Sequence, residues 1–93
     1  MTDMPSATPS DPVLALPWDV DAPFTQRVVV GPEHLDFFQH TNNVVYLSWL
    51  EQGAWGHSQS LGLGSDDYRR LGAGCVARRH ELDYLAATFE HDV

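Results

Sequence analysis

Between Val44 and about Leu61, the residues Tyr46, Trp49, Leu50, Gly53, Ala54, His57 and Leu61 recur at steps of three and four. That spacing places them on one face of an α-helix. The pattern predicts one long helix whose apolar stripe lies against a sheet. Gly53 and Gly56 within it each cost about 1 kcal/mol relative to Ala, a cost that makes sense where another backbone approaches the helix closely. Gly62 and Gly64 supply the stop, and Asp66 to Leu71 predicts one further helical turn. Phe24 to Val30, Phe-Thr-Gln-Arg-Val-Val-Val, is rich in β-branched residues and ends at Gly31-Pro32, so it reads as a strand followed by a turn. A second strand is expected from about Cys75 to Tyr84. There Val76, Leu82 and Tyr84 alternate with Arg79, Glu81 and Asp83 on the opposite face. Phe89 to Val93 reads as the beginning of a third.

The chain has 93 residues, enough for a single domain. Five of its six prolines (Pro5, Pro9, Pro12, Pro17 and Pro23) fall in residues 1–23, beside Asp3, Asp11, Asp19 and Asp21 and with no base. This stretch is expected to be a mobile or loosely docked arm; Val13, Leu14, Leu16 and Trp18 are its apolar exception. The domain is expected over residues 24–93. Thirteen acidic residues against five bases, all of them Arg, give a formal charge of −8. Nucleic-acid binding and attachment to an anionic membrane both need a basic face, and neither is expected. Cys75 is the lone cysteine, so no internal disulfide can form. No apolar run approaches the ~20 residues of a membrane span, and a soluble, cytoplasmic protein is expected. The histidines His34, His57, His80 and His91 show no ligand spacing, and no metal or cofactor is expected.

The candidate chemistry lies just before the long helix, in Asp36-Phe37-Phe38-Gln39-His40-Thr41-Asn42-Asn43. Asn42 suits the N-cap position, where its side chain accepts from amides of the first turn while the Asn43 amide stays unpaired. An unpaired amide at the positive end of a helix can stabilise a developing oxyanion. Asp36, with the loop folded back, can serve as a nucleophile or as a general base toward water. From residue chemistry alone, an Asp followed by Asn-Asn before a helix is more often a capped turn than a catalytic site.

The run Asp36-x-x-x-His40-x-Asn42-Asn43-x-x-Tyr46-Leu47, continued by Trp49-Leu50-Glu51, resembles the Asp-x-x-Gly-His-x-Asn-Asn-x-x-Tyr signature of hotdog-fold acyl-CoA thioesterases of the 4-hydroxybenzoyl-CoA thioesterase-like group. Tyr84 to Asp92 is similar to that group's later Tyr-x-x-x-Ala/Pro-x-x-x-Asp pattern. The resemblance covers residues 24 to 93. It implies an α+β hotdog fold, with a long central helix packed on an antiparallel sheet, and hydrolysis of acyl-CoA thioesters. Position by position, it implies that Asp36 is the catalytic carboxylate and the Asn43 amide the oxyanion donor. His40 takes the place of a residue that shapes the loop or polarises the carbonyl, and Tyr46 and Asn42 fall at substrate-pocket positions. Glu51 matches the helix carboxylate used by another branch of hotdog thioesterases, although a solvated helix acid has the same pattern.

Gln39 stands where the signature has Gly, a departure that bears on the loop's backbone. The resemblance also implies a homodimer or homotetramer with acyl-CoA as the substrate, and Arg69, Arg70, Arg78 and Arg79 are candidates to meet its phosphates. Two strands and a fragment cover little of the helix stripe, and a domain of ~60 residues buries only about 60% of its unfolded surface. The chain is therefore expected to be a C-terminally truncated hotdog domain. Alone, it is expected to be aggregated, strongly self-associated or partly molten, with little or no activity. A noncatalytic remnant or interaction module is the alternative reading. A hotdog dehydratase or hydratase fits less well, because the Pro-Gly elements around the catalytic His of those enzymes are absent.

Overall fold

A computed structural model describes residues 16–93. Most of the arm, including Val13 and Leu14, lies outside the described residues. Helix α1 spans Asn43–Ser60 and helix α2 spans Ser65–Leu71, within one residue of the segments their periodicity marks. Asn42 starts α1 by holding an extended backbone while its side chain accepts from the Val44 amide. Leu61 and Gly62 close it, with their amides turned back onto carbonyls of the last turn. The two helices are tied by the Ser58 hydroxyl, which lies 2.6 Å from the Tyr68 hydroxyl, and by the edge-on contact of Trp55 with Tyr68.

Residues 24–30 are extended and run antiparallel to α1. Phe24 stacks on His57 with ring centroids 5.2 Å apart, and Gln26 Nε2 donates to the Trp49 carbonyl at 3.0 Å. This is the close approach the helical glycines call for. A Cβ placed on Gly56 would sit 3.2 Å from the Phe24 ring, whereas one on Gly53 would make ordinary contact with Gln26 at 3.6 Å. The expected strand over Phe24–Val30 is nevertheless not formed. Among the described residues the segment has no ladder partner, although the Val30 amide donates to the Asp92 carbonyl and the Val30 carbonyl accepts from the His91 amide.

The other two expected strands are also absent among the described residues. Cys75 to Tyr84 is extended but unpaired and exposed, with Val76 91% accessible. Within it Arg79 and Glu81 form an exposed ion pair. Phe89 to Val93 is a turn in which the Phe89 amide donates to the Asp92 carboxylate and His91 has a φ of 76°. A β-branched run supplies propensity, but a strand exists only once a second backbone takes up its amides and carbonyls. The only β-pairing in the described residues is an isolated antiparallel bridge between Leu35 and Thr41.

The core is correspondingly small. Val30 and Thr41, each 3% exposed, are the only buried residues described. Of the helix stripe, Tyr46, Trp49 and Gly53 are partly covered, while Leu50, Ala54, His57 and Leu61 remain exposed. A 3-10 turn, Pro32–His34, anchors the chain against this face. His34 Nδ1 accepts from the Gly31 amide, its ring meets the edge of Trp49, and its carbonyl accepts from the Asn42 amide.

Candidate active site

The segment between the bridge residues Leu35 and Thr41 folds back on itself. The Asp36 amide donates to the His40 carbonyl at 2.8 Å and the Gln39 amide to the Asp36 carbonyl at 3.0 Å. Asp36 Oδ1 accepts from the amides of Phe38 at 2.8 Å and His40 at 3.3 Å. One carboxylate oxygen is thus committed to holding the turn, and Oδ2 has no protein partner among the described residues. The tip exposes Phe37, 92% accessible, packed edge-on against Phe38.

Gln39 occupies this turn with a φ of 64°. A side chain with a Cβ pays on the order of 1–2 kcal/mol in that left-handed conformation, which is why the signature of the resembled group places glycine there. Gln39→Gly is therefore expected to stabilise the protein by about 1 kcal/mol, read as a rise in the urea midpoint. An unchanged or lower midpoint would contradict the assigned backbone.

At the head of α1 the amides are unequally satisfied. Val44 donates to Asn42 Oδ1 at 3.1 Å and Val45 to the Asn42 carbonyl at 2.9 Å. The Asn43 amide makes no hydrogen bond among the described residues, as its place at the first helical position dictates. Asn43 borders a cleft of about 300 Å³ whose walls are His40, Thr41, Asn43 and Tyr46 on one side and Tyr84 to Ala87 on the other. His40 is fixed by its ring contacts, edge-on to Phe89 at 5.5 Å and stacked with Phe38 at 6.1 Å.

Of the residues singled out from sequence, His40, Asn43 and Tyr46 meet at this cleft, and Asn42 caps the helix beside it. Asp36 stands four residues away in the turn, bonded to the His40 backbone but not lining the cleft. Glu51 lies elsewhere. It accepts from the Trp55 indole at 3.1 Å and faces a separate cleft of about 260 Å³ with Ser58, Tyr68 and Cys75. Three of the four arginines considered for phosphate binding are held by acids: Arg69 by Asp66, Arg70 by Asp67 and Arg79 by Glu81. The Arg69 and Arg79 pairs are exposed and weak, whereas Asp67 is half-buried and also accepts from the Gly64 amide. No group of three metal-ligating side chains comes together among the described residues.

Two residues that the sequence left without a role join the site. The Tyr84 hydroxyl donates to the Asn43 carbonyl at 3.0 Å, and its ring meets Tyr46 at 5.5 Å. The Thr88 hydroxyl lies 2.7 Å from the Tyr46 hydroxyl and 2.5 Å from Thr41 Oγ1. The available signal was that Thr88 is the lone polar residue in the apolar run Leu85 to Phe89.

A family described as the thioesterase-like superfamily matches residues 30–93, which take in the turn, the capped helix head and the segment that closes the cleft. The chain belongs to the thioesterase-like superfamily. No curated protein and no solved structure matches it significantly. The thioesterase-like stretch begins at buried Val30 and ends with the turn that bonds to it. Within it Asn42 caps the start of α1 and Asp36 lies in the preceding turn, whereas the sheet of the hotdog fold is not formed among the described residues. No helix there is long and apolar enough to cross a membrane.

Proposed function

We propose that this protein hydrolyses acyl-CoA thioesters to the free acid and coenzyme A. The observation that carries the reading is the unpaired Asn43 amide at the head of an 18-residue helix, inside the stretch that matches the thioesterase-like superfamily. A thioester carbonyl seated in the cleft would direct its oxygen at that amide, where the helix dipole favours the negative charge of a tetrahedral intermediate. Asp36, held through Oδ1, would present Oδ2 to the reacting centre once substrate draws the turn toward the cleft. It acts in one of two ways. As a general base it takes a proton from water, whose oxygen bonds to the carbonyl carbon; as a nucleophile it forms a mixed anhydride that water then opens. In both, the carbon–sulfur bond breaks and the thiolate leaves as coenzyme A. His40 and Tyr46 shape the acyl side of the cleft, and no cofactor enters the reaction.

The test is release of free thiol from short-chain, long-chain and aromatic acyl-CoAs by the purified chain. Turnover with at least one of them is expected: the count of strands alone argues for little or no activity, but the turn, the capped helix head and the cleft beside it are all formed. Release with none of them would sink the assignment. The carrier gives a separate prediction. An acidic protein of charge −8 is repelled by acyl carrier protein, itself acidic, and the slower encounter lowers kcat/KM. Free acyl-CoA is expected to be the better substrate, with the difference shrinking as salt is added. A higher kcat/KM on acyl carrier protein would overturn this expectation.

A further inference from the structure

We infer that Thr88 is a positioning residue for this site, holding Tyr46 and the helix entry so that the Asn43 amide keeps a fixed place at the cleft. Its kinetic part rests on the hydrolysis reading above; its structural part does not. Thr88 uses both its backbone and its side chain. Its carbonyl accepts from the Thr41 amide at 2.9 Å and from Thr41 Oγ1 at 3.2 Å, while its hydroxyl reaches Thr41 Oγ1 and the Tyr46 hydroxyl. Thr41 is 3% exposed and sits two residues before Asn43, at the point where the signature turn becomes α1. Tyr46 lies one turn further along. Thr88 therefore grips the first turn of α1 on both sides of the Asn43 amide, across a sequence separation of 42 to 47 residues. These hydrogen bonds are partly buried, and such bonds cost more than exposed ones when one partner is removed.

The hydroxyl protons admit two orders. In one, Tyr46 donates to Thr88, Thr88 to Thr41, and Thr41 to the Thr88 carbonyl. In the other, Thr41 donates to the Thr88 hydroxyl in place of the Thr88 carbonyl and Thr88 donates to Tyr46, which leaves the Tyr46 proton for an acceptor in the cleft that Tyr46 lines. A developing oxyanion favours the second order. No proton passes between residues; the hydroxyls only rotate, and Tyr46 becomes a donor beside Asn43 while its own oxygen stays bonded.

Thr88→Val removes the hydroxyl at nearly constant shape, and Thr88→Ser restores it. Hydrogen exchange by mass spectrometry should show the peptide covering residues 41–46 exchanging about tenfold faster in Thr88→Val, the effect of losing one or two net hydrogen bonds, and at the wild-type rate in Thr88→Ser. On an acyl-CoA substrate, kcat should fall about tenfold in Thr88→Val with KM changed by less than about twofold, and Ser should rescue it. Tyr46→Phe should add little to Thr88→Val, because the two act as one unit. If Thr88→Val loses its wild-type circular dichroism, Tyr46→Phe, which cuts the same relay from its other end, takes over the exchange test. Unchanged exchange at 41–46, or an equal acceleration along all of α1 in both Thr88 variants, would overturn the inference. A wild-type protein without turnover would instead defeat the hydrolysis reading, and the exchange result would still decide the role of Thr88.

Discussion

Asp36→Asn is expected to lower kcat for acyl-CoA hydrolysis by about 10²- to 10⁴-fold, the usual consequence of removing a positioned base or nucleophile. The substitution separates chemistry from folding. Asp36 holds its turn through Oδ1, which accepts from the Phe38 and His40 amides, and an Asn side-chain oxygen can accept both bonds in the same place. What changes is the second oxygen, which becomes an NH₂ group that can neither attack a carbonyl nor take a proton. Wild-type circular dichroism with lost turnover is the expected result. Asp36→Ala should lose turnover as well and also loosen the turn, since two amides are left without an acceptor at a cost of about 1–3 kcal/mol each where they are shielded from water. Steady-state kinetics with matched thermal melts distinguish the two variants. Full activity in Asp36→Asn would show that the carboxylate only caps its turn.

The second large effect concerns association. The 93-residue chain is expected to self-associate, and turnover is expected to belong to the associated form. Leu50 and Trp55 on α1 and Leu61 at its C-cap, with Phe37, Phe38, Val76 and Leu85 elsewhere, are all exposed. Burying a large apolar side chain contributes roughly 1.5–3 kcal/mol, so covering even a few of them outweighs much of the cost of bringing chains together. Exposed apolar surface beside extended segments with unpaired backbone is also the usual setting for chain-to-chain pairing. Sedimentation across a dilution series, with near-ultraviolet circular dichroism reporting on Trp49 and Trp55, should show the signal and the turnover falling together as the assembly dissociates. A monodisperse monomer with a cooperative melt and undiminished activity would contradict this.

What could be read from the sequence followed how local each feature is. Helix α1 was legible because its start and stop are written within a few residues, Asn42 at one end and Leu61-Gly62 at the other. Helix α2 was legible for a similar reason, with Gly64 before it and Gly72 after it. At position 39 the sequence shows only a departure from the signature's Gly and leaves the backbone open; the φ of 64° is visible only in the structure. The extended segments were not. The Val28 to Val30 run states a preference for strand, but whether a strand forms depends on distant backbone, and only Val30 finds any, at His91 and Asp92. The stripe on α1 marks the face that would meet a sheet, and the shortage of strands limits how much of it can be covered; which part is covered depends on the crossing of residues 24–26 near Trp49, Gly53 and Gly56.

The site divides along the same line. Asn42, Asn43, His40 and Tyr46 lie within seven residues, so a helix start necessarily gathers them. Asp36 shows the limit of that argument, because spacing placed it near the helix but could not say that one of its oxygens would be taken up by its own turn. Thr88 and Tyr84 were invisible as partners, since nothing local to them points to residues more than 40 positions earlier.

The most direct measurement is the simultaneous yield of free thiol and free acid from a single acyl-CoA incubated with the chain under conditions where it is associated. The account predicts equal molar yields of the two, proportional to the amount of protein and abolished in Asp36→Asn. Thiol released without acid, equal release from Asp36→Asn, or no release by a folded wild-type assembly would contradict it.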